Sequence, residues 1–74
     1  MKVVIKLFAS LRVGRFKTEE QNLPEGTTLR ELFKLLELRS TDLAIVRVNG
    51  KKADDDYILH AGDQVALFPP MGGG

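Results

Sequence analysis

Residues 2–9 read KVVIKLFA, alternating along a segment rich in β-branched and aromatic side chains, which predicts a strand. Val3, Ile5 and Leu7 fall on one face, and Val4, Lys6 and Phe8 on the other. A turn is expected from Ser10 to Gly14, and a second, more exposed strand over residues 15–21, RFKTEEQ, closed by the Pro24-Glu25-Gly26 break. The period then changes. Leu29, Leu32, Phe33 and Leu36 recur at i, i+3, i+4 and i+7, with Arg30, Glu31, Lys34 and Glu37 opposite them. That stripe predicts a helix of about three turns ending near Leu38 to Ser40. Thr28 and Glu31 have the spacing of a capping box at its start.

Residues 44–48, AIVRV, predict a third strand, with Ala44, Val46 and Val48 on one face and Ile45 and Arg47 on the other. Asn49-Gly50 supplies a hairpin-type turn. Residues 51–63 read as irregular, with a short helical turn near Asp55 to Tyr57. QVALF, residues 64–68, is the last strand, placing Val65 and Leu67 inward and Ala66 and Phe68 outward. The order is strand, strand, helix, strand, loop, strand. It predicts an α+β chain of the β-grasp, ubiquitin-like class: a mixed four- to five-stranded sheet with one main helix across one face. The first and last strands, the most apolar, are expected to be central parallel neighbours. Residues 1–68 would form the domain and 69–74 a flexible tail. The expected core is Val3, Ile5, Leu7, Leu29, Leu32, Phe33, Leu36, Val46, Val48, Val65 and Leu67.

Composition narrows the function classes. The chain has 74 residues, 43% hydrophobic and 28% charged, a globular balance. A domain this small buries only about 60% of its unfolded surface, so a large cleft walled by its own residues is not expected. Eleven Lys and Arg stand against ten Asp and Glu, without the gathered basic excess that nucleic acid or anionic membrane requires. The absence of cysteine excludes disulfides, thiolate metal sites and a cysteine nucleophile. With no signal-peptide pattern and no apolar run of bilayer length, a cytoplasmic location is expected.

Internal candidates for chemistry are weak. Asp54-Asp55-Asp56 lacks the spacing of a calcium loop and reads as a solvated turn. His60 has no second ligand residue and no nucleophile to serve, and Ser10, Ser40 and the threonines have no base partner. The end, PPMGGG, is different. Pro69 and Pro70 stop strand pairing and set an extended direction. The glycines then remove every side chain, leaving a thread slender enough for a narrow channel on another protein. Phe8, Phe68, Ile45 and Arg47 fall on the sheet face opposite the core and read as a partner-docking patch.

The opening VVIKLFASLR (Val3 to Arg12), the VNG of Val48 to Gly50, the segment AGDQVALFPP (Ala61 to Pro70) and the terminal Gly73-Gly74 resemble the MoaD/ThiS group of ubiquitin-like sulfur carriers. Within that group the resemblance is greatest to its MoaD branch, the small subunits of molybdopterin synthase. The resemblance implies a non-catalytic carrier that binds no cofactor itself. A ubiquitin-activating-type adenylating enzyme uses ATP to adenylate Gly74, persulfide sulfur converts it to a thiocarboxylate, and the carrier delivers that sulfur to the synthase large subunit. Gly73 would let the tail thread, while Phe8, Ile45, Arg47, Phe68, Pro69 and Pro70 would face partners. Three alternatives stay open: a modifier joined through Gly74 to lysines, a thiamin-type sulfur carrier, and a plain interaction module with an inert tail.

Overall fold

In a computed structural model that describes residues 1–70, strands β1 (Lys2–Leu7), β2 (Thr18–Asn22), β3 (Ile45–Val48), β4 (Lys51–Lys52) and β5 (Gln64–Phe68) form one sheet. Its order is β2-β1-β5-β3-β4. β1 and β5 are parallel at the centre, with Ile5 opposite Val65 and Leu7 opposite Leu67. β2 runs antiparallel to β1, and β3 antiparallel to β5 and β4. Among the described residues a single α-helix, α1 (Leu29–Leu35), covers one face. This is the expected α+β, ubiquitin-like sheet with β1 and β5 as its most buried strands.

Alternation decides the faces. Val3, Ile5, Leu7, Val65 and Leu67 are completely buried and join Leu29, Leu32, Phe33 and Val48 in one cluster. Leu36 and Val46, expected in that core, are half-buried and pack against it. Leu11, Leu23, Leu38 and Leu59 complete it from outside the regular elements. Leu59 arrives because the loop after β4 crosses the start of α1. The Leu29 and Arg30 N–H groups donate to the carbonyls of Tyr57 (3.0 Å) and Asp55 (2.9 Å), and the Leu59 N–H donates to Thr27 (2.8 Å). The first two bonds satisfy helix N–H groups that have no intrahelical partner, and the third ties the loop to the residue before the N-cap. The acidic triplet therefore serves the helix through a backbone carbonyl. The Thr28–Glu31 capping box forms as expected, with Thr28 Oγ1 accepting from the Glu31 N–H and Glu31 Oε1 accepting from the Thr28 N–H.

Three boundaries differ from the sequence expectation. β2 lies at Thr18–Asn22 because Ala9–Arg12 closes a 3-10 turn and delays the return strand. A short β4 appears at Lys51–Lys52, because Asn49 (φ 53°) and Gly50 (φ 82°) form a two-residue turn with both φ positive, the hairpin turn whose twist matches that of the sheet. α1 ends a turn early. Glu37 adopts φ 57°, the Glu37 N–H donates to Lys34 O (3.1 Å), and the Leu38 N–H donates to Phe33 O (2.9 Å). That pair of bonds is a Schellman ending, and it turns Leu38 into the core beneath Phe33.

A non-glycine residue in the left-handed region costs roughly 1–2 kcal/mol. Glu37→Gly is therefore expected to stabilise the fold by about 0.5–1 kcal/mol after the extra entropy of the unfolded chain is counted. Thermal melting checks it, and a lower Tm would show that the Glu37 side chain contributes more than its backbone strain costs.

Candidate functional site

The face of the sheet away from α1 carries the outward residues of each strand. The register places Ile45 opposite Phe68, Arg47 opposite both Ala66 and Lys52, and Lys6 opposite Ala66. Phe8 follows β1 directly, its N–H donating to Leu67 O at 3.2 Å, so its ring arrives beside Phe68. The two rings stack with centroids 4.3 Å apart and an interplanar angle of 11°. Both residues and Ile45 are half-buried, so the stack is partly sealed by the domain itself and still presents aromatic surface.

Arg12 completes this patch, and pattern reading did not single it out. Its guanidinium carbon lies 5.5 Å from the Phe8 centroid, and its Nε donates to Leu7 O at 2.7 Å. The 3-10 turn Ala9–Arg12 places it there, and four residues of turn leave no apolar period to reveal the contact. The position four residues after Phe8 was the available signal. Arg47 is exposed, its Nη1 donating to Gly50 O at 3.4 Å. Lys6, Arg12, Arg47 and Lys52 thus surround an aromatic and aliphatic centre with positive charge.

Past β5 the chain leaves the sheet beside this patch. Pro70 is exposed, but Pro69, expected to face a partner, is buried against the domain. That corrects its placement: its ring extends the packed unit one residue past β5. Pro69 and Pro70 border a groove of about 520 Å³, together with Leu11, Arg15, Glu37 and Leu38. Arg15 holds the far wall, donating from Nε to Leu36 O (3.3 Å) and from Nη1 to Leu11 O (3.3 Å), so it ties the 3-10 turn to the end of α1. Gly73 and Gly74 lie outside the described residues. Among the described residues no cluster of His, Asp and Glu could hold a metal ion, and no helix is long and apolar enough to cross a membrane.

A second polar constellation sits at the opposite end of β5. Asp63 is 6% exposed. Its Oδ1 accepts from Asn49 Nδ2 (2.9 Å), and its Oδ2 accepts from the Tyr57 hydroxyl (3.1 Å) and the His60 N–H (2.9 Å). Burial alone would raise its pKa. The His60 N–H, the Asn49 amide, the Tyr57 hydroxyl and the nearby His60 ring more than offset that, and the net shift is downward. The same burial, followed by the hydrogen bond to Asp63 and its charge, pushes the Tyr57 pKa up. Asn49 Oδ1 also accepts from the Gln64 N–H (3.0 Å). This network joins the β3–β4 turn, the Tyr57 loop and the start of β5, so the Gly62-Asp63 segment is explained by folding.

The ThiS family model matches residues 5–74. No curated protein matches. Among solved structures, SAMP1 from Haloferax volcanii, a small archaeal modifier protein, is similar at 28% identity over 100% of both chains, with a TM-score of 0.79. A Pyrococcus furiosus protein assigned as molybdopterin converting factor subunit 1 is similar at 30% identity over 96% of this chain and 99% of its own, TM-score 0.79. Subunit 1 in the complex of subunits 1 and 2 of the Helicobacter pylori molybdopterin-converting factor shares the fold, at 21% identity and TM-score 0.70 over 100% of both chains.

Proposed function

The chain belongs to the ThiS family, and from that premise we propose that it carries sulfur as a thiocarboxylate on Gly74 for the synthesis of molybdopterin. At the coarser level it is a ThiS/MoaD-type sulfur carrier or ubiquitin-like small modifier, a subunit that acts with partner proteins and is not itself a catalyst. The observation that most supports the carrier reading is the extent of the family match, which runs through the glycine end to residue 74. The 30% identity to the Pyrococcus furiosus protein supports molybdopterin as the product.

The chemistry follows from the poor reactivity of a carboxylate. In the activating enzyme a Gly74 oxygen attacks the α-phosphorus of ATP and pyrophosphate leaves. A persulfide sulfur then attacks the acyl carbon and AMP leaves. A second thiolate on that partner attacks the partner-side sulfur of the resulting acyl disulfide, so that the S–S bond breaks, a disulfide closes on the partner and the thiocarboxylate leaves. The absence of cysteine in the carrier suits this sequence, because no internal thiol competes for exchange. The stacked Phe8–Phe68 patch with Ile45, Arg12 and Arg47 docks the partner, and Pro70 aims the glycines into its channel. Fully extended, Met71 to Gly74 reach at most about 14 Å, so the docking face must sit close to the partner's reactive centre.

Incubation with the cognate activating enzyme, ATP and a sulfur donor is expected to replace one oxygen of Gly74 by sulfur, read by intact mass and fragmentation. Modification at an internal residue, or none with an active cognate enzyme, overturns the proposal. Full-length similarity to SAMP1 favours a second reading, conjugation through Gly74 to lysines. Isopeptide-linked Gly74 without a thiocarboxylated pool in cells would select it.

Phe68→Ala is expected to weaken binding of the synthase large subunit by roughly thirtyfold, about 2 kcal/mol, as loss of an aromatic anchor typically does. Because Phe68 stacks on Phe8, the variant should also lose roughly 1 kcal/mol of stability. Affinity and Tm are measured together, and unchanged affinity removes Phe68 from the interface.

A further inference from the structure

We propose that Asn49 is a latent deamidation site that the Asp63 network holds shut. Asn49 precedes Gly50, whose lack of a side chain leaves its amide nitrogen free to approach the Asn49 side-chain carbon. In that reaction the Gly50 nitrogen bonds to Asn49 Cγ and ammonia leaves, taking the Gly50 amide proton. One water then opens the cyclic imide to aspartate or isoaspartate. Water is the only co-reactant, and Asn49 is exposed to it.

In the folded chain both ends of the Asn49 amide are held. Nδ2 donates to Asp63 Oδ1 at 2.9 Å, and Oδ1 accepts from the Gln64 N–H at 3.0 Å. Attack by Gly50 requires the amide to swing away from both partners, and the backbone is fixed at φ 53° and φ 82° by the tight turn. The Asn49 N–H also donates to Gln64 O at 2.8 Å, so the turn itself is tied to β5. Reaction therefore waits for local opening of this corner.

The product cannot be re-accommodated. Aspartate at 49 places a carboxylate oxygen where the donor amide stood, against the buried Asp63 carboxylate. Like charges at hydrogen-bond distance in a desolvated site repel strongly. Deamidation thus converts a clasp into a wedge between the β3–β4 turn and β5, and the converted molecule opens this corner more readily.

The test has two arms. Peptide mapping follows amide-to-acid conversion at Asn49 in the folded protein, in folded Asp63→Asn, and in the chain unfolded by urea at the same mildly alkaline pH. The folded wild type is expected to convert at least about tenfold more slowly than the unfolded chain, with Asp63→Asn in between. Equal rates in folded and unfolded wild type overturn the proposal. So does an Asp63→Asn variant that is folded by circular dichroism and converts no faster than wild type. Should that variant not fold, Asn49→Asp supplies the second arm. Its Tm at neutral pH is expected to fall by about 5 °C or more, and the deficit to shrink as acid protonates one of the two carboxyls. A Tm equal to wild type, or a deficit independent of pH, overturns the repulsion.

Discussion

Adding one residue after Gly74, or deleting Gly73 and Gly74, is expected to abolish thiocarboxylate formation while leaving thermal stability almost unchanged. The sheet ladder ends at Phe68, and Pro69 supplies the last buried side chain of the described chain. Changes beyond such features shift stability by no more than about 0.5 kcal/mol. Activation, in contrast, requires a carboxylate at one position in the partner. The extended chain lengthens by roughly 3.5 Å per residue, which is enough to displace a reacting atom from its counterpart. Gly73→Val should be intermediate, folding normally but transferring sulfur slowly, since a β-branched side chain thickens the thread and restricts φ. Melting curves beside a sulfur-transfer assay decide the matter. A capped protein that still transfers sulfur would show that the terminal carboxylate is not the reactive group.

The largest loss of stability is expected from Asp63→Ala. Three donors, the Asn49 amide, the Tyr57 hydroxyl and the His60 N–H, would lose their acceptor at a buried site. Unsatisfied buried groups cost about 1–3 kcal/mol each, and partial access of water reduces the sum to about 3 kcal/mol. For a domain of this size that lowers Tm by at least roughly 10 °C. The effect is pH-dependent. The folded Asp63 pKa lies below its unfolded value, so this stabilisation is fully present above the unfolded pKa and is lost as pH falls through the folded one. Tyr57 acts at the other extreme: its raised pKa gives stability that is present below the ordinary tyrosine value and is lost as pH rises through the folded value. Wild type and Asp63→Ala should therefore converge in stability in acid. A variant gap that persists unchanged at low pH would place the loss in packing.

The same corner shows why sequence legibility was uneven. Local signals were plain: the Thr28–Glu31 spacing, the stripe from Leu29, the alternation in β1 and β5, and the Asn49-Gly50 turn each rest on residues within a few positions of one another. Leu59 and Asp63 depend on partners far along the chain, through the Thr27 carbonyl and the Asn49 amide, and no local period records those contacts. The early end of α1 was hidden for a related reason. Leu36 continues the apolar stripe, but Leu38 gains more by turning inward, and Glu37 takes a backbone conformation its residue type disfavours. On the outward face of the sheet the parity of Phe8, Ile45, Arg47 and Phe68 was legible. The Phe8–Phe68 stack and Arg12 were not, because they depend on which strands become neighbours.

The parallel pairing of β1 with β5 has a mechanical consequence. Parallel strands place the start of β1 and the end of β5 at opposite ends of the ladder, with Val4 beside Gln64 and Leu7 beside Leu67. Force applied between the amino-terminal strand and Pro70 therefore runs along the two strands and loads their hydrogen bonds together in shear, not one after another as in unzipping. A chain held by its amino-terminal strand and pulled from Pro70 would resist extension as a unit. The tail is thus attached to the strand pair best placed to bear tension.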